Sequence, residues 1–220
     1  MENGIGSKGF GLEYWKKNYN CPSEMDGIGN AKEHAKYLKY LFSLDYVEVN
    51  SILDLGMGMG HLFKEMVQTF RPKRAIGVEP SDHAFKKAQK RVTNLHNPNY
   101  NVVHSDLLKY LEKQKNSKKT YDLGICTSVF QYLTKEEVAQ AVPLMAHRVR
   151  YLYFSVPTDQ ELLRQRQDVD FHDSYAFARS KNFYKKVLGD SFTFISSRLL
   201  ESKTHFNESN TPFTELLFRF

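Results

Sequence analysis

From Ser51 onward, short apolar runs alternate with segments whose apolar residues recur at helical spacing. The run SILDL (51–55) has the length and composition of a buried strand. Leu62, Phe63, Met66, Val67 and Phe70 then fall on one helical face. AIGVE (75–79) predicts a second strand, and Ala84, Ala88, Val92 and Leu95 line the helix after it. YNVVHS (100–105) is a third strand, followed by a short helix on Leu107, Leu108 and Leu111. YDLGICTS (121–128) is a fourth. Thr134 and Glu137 then have capping-box spacing, and Pro143 is expected to kink or split the helix they open. YLYFSV (151–156) is a fifth strand. Phe183, Tyr184, Val187 and Leu188 mark a helix that Gly189 can end. Two further strands are expected, SFTFISSRLL (191–200) and FTELLFRF (213–220), with the turn-rich NESNTP between them.

Repeated strand–helix alternation implies a parallel sheet covered by helices on both faces. Two consecutive strands at the end imply an antiparallel hairpin at one edge. The expected fold is α/β: a doubly wound, mostly parallel, seven-stranded sheet with a C-terminal antiparallel hairpin. The first 50 residues differ. Residues 1–13 are glycine-rich and expected to be mobile, whereas Ala31, Ala35, Leu38 and Phe42 form one face of an amphipathic helix. Residues 1–50 therefore read as an N-terminal helical cap packed over the sheet, and 51–220 as the ligand-binding domain.

Composition narrows the class. The 220 residues are 41% hydrophobic and 25% charged, as in a globular protein. No stretch approaches the roughly 20 apolar residues of a membrane helix, and the first residues lack a signal-peptide run, so a cytoplasmic location without membrane association is expected. The cysteines Cys21 and Cys126 lack metal-ligand or disulfide-framework spacing, so no metal is expected, and Cys126 reads as a small buried hydrophobe. The formal net charge of +6 raises the question of nucleic acid. The lysines, however, are interspersed with glutamates and lie on helix faces (Lys32, Lys36, Lys39; Lys86, Lys87, Lys90), as on a solvated surface.

The chemistry concentrates where the first strand ends. Asp54 is followed by Gly56, Gly58 and Gly60. In an open parallel sheet, ligands bind beyond the carboxyl ends of the strands, near the point where strand order reverses. Glycines there accept positive φ and let backbone approach a ligand, and the next helix offers free N–H groups. The dinucleotide fingerprint G-x-G-x-x-G requires a glycine where this chain has His61, which disfavours a nicotinamide oxidoreductase. Glu79 ends the second strand, where an acid can accept from both ribose hydroxyls. Asp106 ends the third, where a carboxylate can accept from an adenine amino group. Each also has a structural alternative as a helix cap, Glu79 for the helix after Pro80 and Asp106 for the one at Leu107. Their recurrence at successive strand ends favours the ligand reading.

With these motifs in hand (LDLGMGMG, GVEPS, HSDLL, YDLGICTSVFQYL and RYLYFSVP), the sequence resembles class I S-adenosylmethionine-dependent methyltransferases from about Ser51 to Phe220. The resemblance implies a seven-stranded sheet with S-adenosylmethionine across the carboxyl ends of the first four strands. It implies that Asp54, Gly56, Gly58 and Gly60 hold the methionine moiety, and that Glu79, with Pro80 beside it, holds the ribose. Asp106 with the Leu107 backbone would hold the adenine, and Thr127 and Ser128 would pass near the sulfonium. Many small-molecule members carry an acid followed by histidine where this chain has Gln131 and Tyr132, so no histidine base is carried over to that position.

Three segments can build an acceptor pocket. The cap offers Tyr14, Trp15, Tyr19, Asp26 and His34, with Trp15, the only tryptophan, equally readable as a plug between cap and core. The segment VFQYL offers Tyr132. The segment DVDFHDSYAFARS offers Asp170, His172, Asp173, Tyr175 and Arg179. His172 is the first candidate for a general base or orienter, with Tyr132 as a second catalytic candidate. Tyr14, Trp15, His34, Asp173 and Arg179 are substrate-binding candidates. Arg179 can pair either with an acidic substrate group or with Asp173. The expected function is methyl transfer from S-adenosylmethionine, giving S-adenosylhomocysteine, to a small-molecule acceptor, because the chain ends with the core sheet. An RNA or protein methyltransferase, favoured by the charge, is the alternative; a non-catalytic S-adenosylmethionine-binding protein is a second.

Overall fold

The computed structural model describes residues 9–19, 25–169, 171 and 173–213. The strands are β1 (Ser51–Leu55), β2 (Arg74–Glu79), β3 (Tyr100–His104), β4 (Tyr121–Thr127), β5 (Val149–Ser155), β6 (Phe192–Phe194) and β7 (Leu199–Ser202). The helices are α1 (Leu12–Asn18), α2 (Ala31–Leu44), α3 (His61–Phe70), α4 (Asp82–Thr93), α5 (Leu107–Lys113), α6 (Lys135–Arg148), α7 (Asp159–Val169) and α8 (Lys181–Gly189). The strands make one sheet in the order β3-β2-β1-β4-β5-β7-β6. β1 to β5 pair in parallel, while β7 runs antiparallel to both β5 and β6.

Strand alternation divides the core. Ile52, Leu123, Ile125, Tyr151 and Tyr153 face one side, where α2, α3 and α4 bring Leu38, Phe42, Phe63, Met66 and Ala88. Leu53, Leu55, Cys126, Leu152 and Phe154 face the other, against Leu111 of α5, Val142 and Met145 of α6 and Leu188 of α8. Cys126 is fully buried, in keeping with its reading as a small hydrophobe. Every residue of β1 is buried, as a central strand covered on both faces requires. Among the described residues no helix is long and apolar enough to cross a membrane.

Three expectations change. The segment 191–200 is two strands, not one: β6 turns back through 195–198 into β7, with Phe192 opposite Ser202 and Phe194 opposite Leu200. Ile195 and Ser196 both donate backbone N–H to Leu199 O, which closes the turn. The hairpin thus lies earlier than its expected second strand, 213–220, of which all but Phe213 falls outside the described residues. Second, α6 passes through Pro143 as one helix. Its face of Val138, Ala141, Val142, Met145 and Ala146 is buried, and that packing outweighs the ~3 kcal/mol a helix-interior proline costs. Third, α1 was not foreseen and takes up Leu12 and Glu13 of the glycine-rich segment expected to be mobile; residues 1–8 lie outside the described residues.

The order places β1 beside β4, so the chain reverses direction across the sheet between them. A crevice opens at their carboxyl ends, the position at which doubly wound sheets bind ligands.

Candidate active site

The turn from β1 to α3 occupies that crevice. Gly56, Gly58 and Gly60 have φ of 83°, 58° and 79°, left-handed values that L side chains rarely adopt. A Cβ on Gly56 would overlap Val129 Cγ2, and one on Gly60 would sit 3.0 Å from Met57 Cε. Gly56 and Met57 donate N–H to Val78 O at 2.8 and 3.0 Å, which ties the loop to β2. A fourth glycine, Gly77 on β2, is missing from the sequence reading: a Cβ there would overlap Met57 Sδ. Its signal, a small residue in a strand facing a loop methionine, is invisible without the register.

Glu79 joins the loop to the tip of β2. Its Oε2 accepts from Gly58 N at 2.8 Å and its Oε1 from Ser81 N at 2.9 Å. It is buried, and burial raises its pKa from 4.5 to about 7, although the two N–H donors oppose the shift. Helix α4 is capped by Ser81, whose Oγ accepts from Ala84 N, so Glu79 is not the cap. Asp54 is buried at the end of β1, and its carboxyl is pushed well up by burial and then by the charge of Glu79. Asp106 does cap α5: Oδ1 accepts from Lys109 N at 2.8 Å and Oδ2 pairs with Lys109 Nζ at 3.0 Å. It also lines the crevice, as do Pro80, Leu107, Thr127 and Ser128. Ser128 is held at φ 55° with its N–H on Ser155 O at 2.9 Å, a strained position of the kind that collects at functional sites. His61 opens α3, where its Nε2 meets Arg91 Nη2 at 3.1 Å.

Helix α1 lies across the crevice. Trp15 is buried over the glycine loop, its Cη2 3.5 Å from a Cβ built on Gly58. Its indole N–H is shared between Ser81 Oγ at 2.8 Å and Phe10 O at 3.1 Å. The ring thus plugs cap to core and at the same time walls the crevice. Tyr14, one position earlier, meets Tyr132 of the turn after β4 and Asp173 of the segment after α7. Tyr132 and Asp173 are 118 and 159 positions from Tyr14 in sequence, yet the three make mutual contacts: Tyr14 Oη to Asp173 Oδ2 2.9 Å, Tyr132 Oη to Asp173 Oδ2 2.6 Å, and Tyr14 Oη to Tyr132 Oη 2.9 Å. Burial raises both phenol pKa values well above the usual range, so both tyrosines keep their protons.

The other candidates are placed differently. His34 stands behind the crevice wall, its Nε2 2.9 Å from Asp26 Oδ1 and its Nδ1 2.5 Å from Tyr153 Oη. Asp26, which faces the crevice, also accepts from Arg198 Nη1 at 3.0 Å. Arg179 does not meet Asp173; it is buried and donates to Phe130 O at 3.2 Å and Leu133 O at 2.6 Å, holding the turn that carries Tyr132. His172 and Asp170 lie outside the described residues. The crevice encloses about 1340 Å³, within reach of a nucleoside-bearing ligand together with a second small molecule.

Comparison with known proteins agrees with this geometry. Residues 52–150 match the family model described as "Methyltransferase domain". A 95-residue segment, 42% of the chain, is 36% identical to malonyl-[acyl-carrier protein] O-methyltransferase of Halalkalibacterium halodurans, and spans 34% of that relative's length. The Synechocystis magnesium protoporphyrin IX methyltransferase, solved with S-adenosylhomocysteine, superposes with a TM-score of 0.59 at 19% identity, over 90% of this chain and 94% of that one. A Clostridium acetobutylicum S-adenosylmethionine-dependent methyltransferase superposes at 0.63 and 11% identity, over 86% and 96%. The seven-stranded order and its antiparallel edge are thus shared with solved methyltransferases. The chain thus carries a methyltransferase domain over residues 52–150 and shares its fold with solved S-adenosylmethionine-dependent methyltransferases.

Proposed function

We propose that the protein transfers a methyl group from S-adenosylmethionine to a small-molecule acceptor. The carrying observation is the coupling of the left-handed glycine loop to Glu79 at the neighbouring strand tip. The loop's left-handed backbone borders the crevice at Gly56 and Gly58, packed so closely that a Cβ on Gly56 would overlap Val129, and Glu79 keeps unused lone pairs beyond its two N–H bonds. That donor set fits the cofactor: Asp54 and the loop toward the methionine moiety, Glu79 and Pro80 toward the ribose, Asp106 and Leu107 toward the adenine. Thr127 and Ser128 border the reacting end. The cofactor, when bound, supplies a methyl group already activated by its sulfonium. What remains for the chain is alignment, which can contribute ~7–11 kcal/mol, and exclusion of water. Residues 1–50 serve as the cap, with Tyr14 and Trp15 closing the crevice and residues 51–220 as the catalytic domain. Tyr132, still protonated and donating to Asp173, positions the acceptor side, and His172, adjacent in sequence to Asp173, is the candidate base.

Relatives named for malonyl-[acyl-carrier protein] and magnesium protoporphyrin IX support a small or carrier-borne acceptor. The test is transfer of labelled methyl from the cofactor into fractionated cell extract. Label in the small-molecule fraction is expected; label confined to RNA or protein overturns the acceptor class. Absence of transfer with the cofactor bound favours the non-catalytic binder.

A further inference from the structure

We propose that the acceptor carries a protonated amine, held by Asp173 between Tyr14 and Tyr132; this rests on the methyltransferase reading and names its substrate class. Asp173 is buried, yet its hydrogen-bond partners are two phenols and the Tyr175 N–H, which reaches Oδ1 at 3.0 Å. No cation pairs with it among the described residues. Elsewhere along the crevice Asp26 is paired with Arg198 and, at the adenine end, Asp106 with Lys109. A buried carboxylate without a counter-charge is costly, and neutral donors offset the cost only in part.

The proton count gives the sign of the missing partner. Three oxygens make three close contacts, at 2.6, 2.9 and 2.9 Å, but two phenols supply two protons. With both donated to Asp173 Oδ2, the Tyr14–Tyr132 edge has no hydrogen between its oxygens. The cluster therefore presents lone pairs to the crevice and lacks a donor. Gln131, next to Tyr132 and also on the crevice wall, repeats the pattern: its Oε1 is a buried acceptor without a donor among the described residues. An ammonium has three donors and no acceptor, and matches this array. A carboxylate or phosphate ligand would bring more lone pairs against it. Rings complete the setting. Tyr175 stacks on Tyr14 at 5.5 Å between centroids, and Phe10 packs edge-on against Tyr14 and Tyr132 at 5.0 and 4.8 Å. Their π faces favour a cation.

The experiment titrates protein saturated with S-adenosylhomocysteine against three probes of one shape: 2-phenylethylamine, 2-phenylethanol and phenylacetate. The expected result is saturable calorimetric binding of the amine, with the alcohol and the anion weaker by about tenfold or more. Asp173→Asn, which keeps the size and an acceptor oxygen but removes the charge, should lose that preference while still binding S-adenosylhomocysteine. Equal binding of the three probes, no binding of the amine, or an unchanged preference in a cofactor-competent Asp173→Asn protein overturns the proposal. The wild-type comparison stands even if the variant does not fold. Failure to bind S-adenosylhomocysteine at all removes the methyltransferase reading and this one with it, whereas cofactor binding without amine preference removes this one alone.

Discussion

Glu79 carries opposite pH effects on folding and on ligand binding. Burial lifts its pKa from 4.5 to about 7, so the folded protein binds the proton more tightly than the unfolded chain. Its contribution to stability is therefore fully present below about pH 4.5 and is lost as pH rises through about 7. Ribose hydroxyls donate, and so select the ionised carboxylate. Affinity for S-adenosylhomocysteine should rise from pH 6 to pH 8, by up to about tenfold per pH unit below the pKa, with proton release on binding; Glu79→Gln should flatten this dependence and weaken binding. Calorimetry in buffers of different ionisation heat measures both. Gly56→Ala tests the loop itself. It combines an unfavourable positive φ, costing of order 1–3 kcal/mol, with overlap on Val129. Cofactor affinity should fall by about tenfold or more, while far-ultraviolet circular dichroism stays native. At this scale the acids and glycines that line the crevice were legible, because such residues at strand ends leave a local signature. The Tyr14–Tyr132–Asp173 contact was not legible as a unit, since residues separated by 118 and 159 positions share no spacing.

Helix α1 lines the crevice and contains the chain's only tryptophan. With Trp15 lying over Gly58 and bonded to Ser81, its fluorescence should change saturably on titration with S-adenosylhomocysteine. Trp15→Phe keeps an aromatic ring but removes the indole N–H and part of its packing; it should cost at least about 0.5–1.5 kcal/mol in a thermal melt. Arg179 ties the segment before α8 to the turn after β4 through Phe130 O and Leu133 O. Arg179→Met leaves these buried carbonyls short of a charged donor and should destabilise the fold by about 1–3 kcal/mol. Strands β1, β2, β4 and β5 were legible because buried parallel strands are apolar runs between glycine- or charge-bearing turns, and the half-exposed edge strand β3 through its Val102–Val103 pair. The β6–β7 hairpin was not, since ISSR joins two apolar runs without the glycine or asparagine that usually marks a tight turn. Helix α1 was hidden for a related reason: its seven residues are too few for a helical period to stand out, and contact with the crevice, not propensity, holds it.

The whole molecule carries +6, while its crevice gathers Asp54, Glu79 and Asp173 at the centre of the sheet edge. Basic charge on the outer helix faces and acid within the cleft suit a cationic small ligand better than a polyanion. Turnover on a small acceptor should change little between 50 and 200 mM salt, whereas a nucleic-acid substrate making several phosphate contacts would lose on the order of 10³-fold in affinity over that range. The doubly wound order was predictable from element alternation. The three segments proposed to build the acceptor pocket were legible singly, but their meeting through Tyr14, Tyr132 and Asp173 was not, because only the sheet brings them together. The most direct measurement is calorimetric titration of S-adenosylhomocysteine into the purified full chain at pH 8. Saturable one-to-one binding, sharply weakened by Gly56→Ala and by Glu79→Gln, is the expected result. A folded protein that gives no binding, or binding indifferent to both substitutions, would contradict it.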